Sequence, residues 1–201
     1  MKRISFRDSG GLHLTQSVLD LRKTMTRRIA YKGEIKNINT GFFSEGKNRG
    51  RFALCESNFV VAKSQYGIDE IVAIQQAYRE TFREFFGEVD FTKNKLIGTA
   101  GWTNKMFVKA ELMPYHIRIT DVRVERLQDI SDEDCLREGV LAELDPLENG
   151  KPAYDYYFDG HGRCWYNTPR KAFAALIDKV SGRGTWNSNP LVFVYSFELV
   201  D

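Results

Sequence analysis

The sequence predicts an α+β fold, a small mixed β-barrel with short flanking helices, and three observations lead there. Helical and extended patterns follow one another without the regular strand–helix–strand rhythm of a doubly wound sheet. A long strand over residues 115–127 changes side-chain phase near Thr120 and Asp121: Ile117 and Ile119 fall on odd positions, Val122 and Val124 on even ones. A β-bulge, which also bends the strand, repairs such a slip. The last strand, residues 191–199, carries Leu191, Phe193, Tyr195, Phe197 and Leu199 on one face and Val192 and Val194 on the other, as suits the centre of a sheet or a closed barrel.

In chain order, residues 2–6 predict a first strand and Asp8-Ser9-Gly10-Gly11 a turn. Residues 15–22 predict a short helix with Thr15 as its N-cap, followed by a strand over residues 26–31. From residue 32 to 66 the composition shifts to Gly, Asn, Ser and Lys, which reads as an irregular insertion with apolar patches at Phe52, Ala53, Leu54 and at Phe59, Val60, Val61. Residues 68–74 return as a strand. Tyr78, Phe82, Phe85 and Phe86 then mark the packed face of a helix that Gly87 ends. Ser131 caps a helix opened by Asp132, Glu133 and Asp134 and closed by Gly139. Residues 145–166, rich in Gly, Asp and Tyr, read as a second irregular insertion. Thr168-Pro169 starts the last helix, with Phe173, Leu176, Ile177 and Val180 on one face and Gly182 after it.

All of this fits within one domain over residues 1–201, since a chain of 201 residues buries roughly 70% of the surface its unfolded form exposes. No apolar run approaches the ~20 residues needed to span a bilayer, and the first residues lack the apolar core of a secretion signal. A cytoplasmic protein with no membrane partner is expected. Cys55, Cys135 and Cys164 are odd in number and far apart, which argues against disulfides and a zinc site. His161 and Cys164 form an H-x-x-C pair, but the further ligands a tetrahedral metal needs, His13 and His116, are remote in sequence, so no metal is expected. Glycine-rich phosphate and dinucleotide motifs are absent, and no cofactor is expected. Twenty-nine Lys and Arg against 27 Asp and Glu leave a net charge of +2. That excludes a global basic bias while allowing a local basic patch.

Such a patch stands at Leu21-Arg22-Lys23-Thr24-Met25-Thr26-Arg27-Arg28. Strand periodicity puts Thr24, Thr26 and Arg28 on one face, with Lys23 at the helix-to-strand corner within reach of the same pocket. Guanidinium and ammonium groups hold phosphates or carbonyls, and a threonine hydroxyl donates, accepts or attacks. A solvated basic strand is the bland alternative. Arg22, Thr24 and Arg28, with Gln76 and Tyr78 where the strand over residues 68–74 leaves the barrel, are candidate ligand-binding residues. Trp102, Trp165, Trp186, Tyr156 and Tyr157 read as packing residues that could also stack on bases.

The octapeptide resembles the ASCH-domain signature G-x-K-x-x-E-x-R and its R-K-T-x-T-x-R variant, found in prophage-encoded and amidohydrolase-like branches. Lys23 falls on the signature lysine, Thr26 on the position of Glu or Thr, and Arg28 on the arginine; Leu21 stands where the signature has glycine. Met113-Pro114, the stretch over residues 118–131, Glu138-Gly139-Val140 and Trp186-Asn187-Ser188-Asn189-Pro190 also look like prophage ASCH-like proteins. The resemblance implies a PUA-like barrel, a fold associated with RNA and modified-base recognition. In the amidohydrolase branch a lysine, a threonine and a glutamate remove the acetyl group of N-acetylated cytidine, and the resemblance assigns these catalytic roles to Lys23, Thr26 and Glu138. A carboxylate at a helix C-terminus is disfavoured by the dipole, and a residue placed against local preference is a candidate for function.

Two functions remain open at the level of sequence. One is a pocket for a nucleoside or RNA base, with amide hydrolysis as the reaction; the other is a non-catalytic RNA- or protein-binding module of a mobile element. Using Lys23 as a base at neutral pH means overcoming ~3.4 pK units, about 4.6 kcal/mol, unless burial depresses its pKa, and a nearby Glu138 opposes that depression. An enclosed cavity shared by Lys23, Thr26 and Glu138 favours the first function. An open groove lined by Arg22, Arg27 and Arg28 favours the second.

Overall fold

The computed structural model describes residues 1–31, 37–57, 59–85, 95–148, 151–159 and 164–201. Its elements are β1 (Lys2–Ile4), α1 (Leu14–Leu19), β2 (Met25–Tyr31), β3 (Ile38–Phe42), β4 (Phe52–Glu56), β5 (Phe59–Lys63), β6 (Ile71–Ile74), α2 (Tyr78–Phe85), β7 (His116–Arg126), α3 (Asp132–Arg137), β8 (Leu141–Glu148), β9 (Lys151–Tyr157), α4 (Pro169–Ser181), α5 (Thr185–Ser188) and β10 (Leu191–Leu199). The fold is mixed α+β. A five-stranded sheet runs β1-β6-β7-β10-β2, beside a three-stranded sheet β3-β4-β5 and a hairpin β8-β9. In the large sheet β1 runs parallel to β6, and the remaining pairs are antiparallel.

Strand β10 lies inside the large sheet, between β7 and β2, in keeping with its two apolar faces. The phase slip in β7 is a bulge: Ser196 faces Asp121, the next residue Phe197 faces Ile119, and Thr120 has no opposite residue. This extra residue lets Ile117, Ile119 and Val122 all reach the core. The ladder ends at β1 and β2, which do not pair with each other among the described residues. Arg28 on β2 nonetheless donates to the main-chain oxygen of Ser5, just past β1, at 2.5 Å. The main core draws on Ile4 and Phe6, on Ile117 and Ile119 of β7, on Phe173 and Leu176 of α4 and on Val192 to Tyr195 of β10.

Both stretches expected to be irregular contain strands. The first holds the meander β3-β4-β5, whose Ala53 and Leu54 are buried. The second contains β9 and the end of β8, which starts before it; Leu141 lies opposite Tyr157 and Leu144 opposite Tyr154. Strand-forming apolar and aromatic residues are interspersed here among the loop-forming ones. Thr15 is not the N-cap of α1, which begins one residue earlier with His13 in that place. Thr15 gives its N–H and hydroxyl to the Asp8 carboxylate, at 2.8 and 2.5 Å. Phe86 and Gly87, the expected end of α2, and His161 lie outside the described residues. Among the described residues no helix is long and apolar enough to cross a membrane.

Candidate functional site

Lys23 is aimed by the way α1 ends. Leu21 N–H donates to Val18 O at 3.0 Å and Arg22 N–H to Ser17 O at 2.9 Å, the two bonds of a Schellman turn. The turn needs a left-handed residue after the helix cap, and Leu21 supplies it at φ 60°. Lys23 N–H also donates to Ser17 O, at 2.8 Å, which folds the chain back and buries the Lys23 side chain. Beyond this corner β2 pairs with β10: Thr26 faces Tyr195 and Arg28 faces Phe193, while Arg27 faces Val194 on the alternate side.

Glu138 is delivered by α3. Ser131 accepts from Asp134 N–H at the start of that helix, and Gly139, at φ 106°, turns the chain just past its end. Glu138 is the capping residue, buried at 4% exposure. Lys23 Nζ donates to Glu138 Oε2 at 2.7 Å and to the Glu138 main-chain oxygen at 2.6 Å. The second carboxylate oxygen, Oε1, accepts from Arg27 at 3.1 Å. Arg27, with no exposed side-chain surface, also donates to Glu125 Oε1 at 2.6 and 2.9 Å and to Asp134 Oδ2 at 3.0 Å. Arg123 joins Glu125 and Asp134 from the outside.

Lys23, Thr26, Arg28 and Glu138 line one cavity of about 260 Å³. Its apolar wall comes from Phe6, Leu14 and the Phe173, Leu176, Ile177 and Val180 face of α4, and Arg7 also borders it. Burial pushes the Lys23 ammonium below the usual lysine range; Glu138 opposes this, while Arg28 and Arg27 push the same way. The carboxylate therefore does not dominate, because complete burial and two neighbouring guanidinium groups outweigh it. Arg27 moves upward: burial favours its neutral form, but Glu138, Glu125 and Asp134 together outweigh that cost. The arrangement can hold a carbonyl or amide against fixed donors, and can move a proton at Lys23 Nζ.

The other sequence candidates lie elsewhere. Arg22 sits outside the cavity lining, paired with Asp20 at 3.0 Å and Asp159 at 3.5 Å. Thr24 accepts from Arg137 Nε at 3.3 Å and ties the residue before β2 to α3. Tyr78 packs in a separate cluster with Ala73, Val108 and Met113, its hydroxyl accepting from Lys109 N–H at 2.8 Å. Gln76 is also buried, its Oε1 without a hydrogen-bond partner among the described residues. Trp186 packs on Phe173 and Trp165 on Tyr157. Among the described residues no three His, Cys, Asp or Glu side chains group to hold a metal ion.

Sequence reasoning missed Glu125, Asp134 and Arg7. Nothing local marks the first two, which reach Arg27 from positions about a hundred residues away. The α4 face was legible as a 3.6-residue stripe, though as core rather than as a cavity wall. Compared with protein-family models, curated proteins and solved structures, the chain has no match in any of the three.

Proposed function

We propose that the protein is a PUA-like, ASCH-type barrel whose cavity binds a nucleoside and hydrolyses the amide of N-acylated cytidine. The observation that carries this reading is the convergence of Lys23, Thr26, Arg28 and Glu138 on one cavity. The nearby cations support it too. Arg27 and Arg22 are already matched by carboxylates, which weighs against an open basic groove for a phosphate backbone. A volume of about 260 Å³ lies just below the usual range of small-molecule sites, ~300–1,000 Å³, and favours a small ligand such as a base with its acyl group. The barrel part of the reading is supported by the β7 bulge and by Arg28 bridging from one outer strand to Ser5 beside the other. The left-handed backbone at Leu21, the place of the signature glycine, supports the resemblance.

In the reaction, two of the three hydrogen positions on Lys23 Nζ are held by Glu138, which leaves one for chemistry: an N–H in the ammonium, a lone pair in the amine. The neutral amine takes the proton of the attacking hydroxyl, that of Thr26 or of a water beside it, as the oxygen adds to the acyl carbon. The same proton passes to the exocyclic nitrogen as the C–N bond breaks and cytidine leaves. With water as nucleophile the acid is formed directly; with Thr26, a water then hydrolyses the ester, releasing the acid and restoring the hydroxyl.

Binding of N4-acetylcytidine and of single-stranded RNA, each at 50 and 200 mM salt, tests the reading. The nucleoside is expected to bind with little salt dependence and RNA only weakly. RNA affinity that falls steeply with salt, together with no nucleoside binding, contradicts it and favours the binding-module alternative.

A further inference from the structure

We infer that Arg27 is a positioning residue of this site, a latch that fixes the Glu138 carboxylate so that Oε2 meets Lys23. The inference rests on the reading of Lys23, Thr26 and Glu138 as the reacting set. A carboxylate can rotate about its last torsion, but here each oxygen is separately claimed, Oε1 by Arg27 and Oε2 by Lys23. Arg27 itself has no rotational freedom to lose. Its planar fork is committed to Glu125 on β7, Asp134 on α3 and Glu138 beyond α3, and its guanidinium carbon lies 5.9 Å from the Phe173 ring of α4. A buried ion cluster is a poor source of net stability, because desolvation offsets the attraction, whereas it fixes direction well.

The charged and titratable groups around this cluster include Lys23 and Arg28 beside it, Arg7 on the cavity rim, Glu125 and Arg123 on β7, Asp134, Cys135 and Arg137 on α3, and Arg170 on α4. Among them Arg27 acts on Lys23 in two ways. Its hold on Oε1 keeps Oε2 turned toward Nζ, and its cation disfavours the ammonium. The second effect favours the neutral amine, so removing Arg27 raises the pH at which Lys23 titrates.

The test pairs an NMR titration of the Lys23 side chain with kinetics on N4-acetylcytidine, in wild type, Arg27→Met and Arg27→Lys. Arg27→Met is expected to move the Lys23 titration upward and to lower kcat about tenfold or more with KM within about twofold, Arg27→Lys recovering part of both. An unchanged Lys23 titration in Arg27→Met overturns the inference. If Arg27→Met does not fold, Glu125→Gln takes its place, with a kcat loss of about threefold at constant KM expected and an unchanged kcat and titration overturning the inference. A Lys23 shift without turnover by wild type removes the amidohydrolase reading and leaves the latch standing.

Discussion

Lys23 Nζ lies 2.7 Å from Glu138 Oε2 and 2.6 Å from the main-chain oxygen of the same residue, so one buried lysine holds both the side chain and the backbone of its partner. The double grip joins the corner after α1 to the end of α3 and sets one edge of the cavity.

The two residues should behave as a unit in stability. Glu138→Gln leaves Lys23 buried without its counter-charge and is expected to cost about 3 kcal/mol in urea unfolding. Adding Lys23→Met should cost less than the sum of the single changes, by about 1 kcal/mol or more. Additive single changes would show that the pair is not coupled.

The depressed Lys23 pKa carries a sign for stability. The folded state releases the Lys23 proton at lower pH than the unfolded chain, whose lysines titrate near ~10.4, so the unfolded state binds more protons between the two values. This contribution to stability therefore rises with pH through that window. The melting temperature of wild type relative to Lys23→Met is expected to climb as the pH rises toward ~10.4; a flat or falling difference contradicts the direction.

Leu21 occupies a conformation that favours glycine while leaving 63% of its surface exposed. Leu21→Gly should relieve left-handed strain of ~1–2 kcal/mol, less the entropy glycine adds to the unfolded chain, for a net gain of about 0.5–1 kcal/mol. Leu21→Ala should give no such gain. Urea midpoints of the two variants decide it.

Cys135 has no exposed surface, and burial pushes its thiol up to about 12, whereas Cys164 is exposed. Iodoacetamide at pH 8 should label Cys164 in the native protein and Cys135 only after unfolding, as read by peptide mass spectrometry. Early labelling at Cys135 would contradict its packing.

Much of this architecture was legible in local pattern. The phase slip at Thr120 marked the bulge, Ser131 and Gly139 bracketed α3, and Thr168-Pro169 marked the start of α4, because each is a short-range signal written within a few residues. The octapeptide supplied Lys23, Thr26 and Arg28 of the cavity lining, and Glu138 came from resemblance. What escaped is long-range. The partners of Arg27 converge from β7 and α3 through tertiary packing, and the strands of β3-β4-β5 and β8-β9 hide beneath a loop-like composition. Tyr78 had no local signal to separate a pocket from the second core in which it sits, and neither had the buried Gln76.

The most direct measurement of the central claim is turnover of N4-acetylcytidine by wild type, Lys23→Ala, Thr26→Val and Glu138→Gln, each confirmed folded by circular dichroism. Release of cytidine by wild type, with kcat/KM falling about a hundredfold or more in each variant, is the expected result. Turnover that survives unchanged in all three variants, or no turnover by wild type on any N-acylated cytidine, contradicts the account.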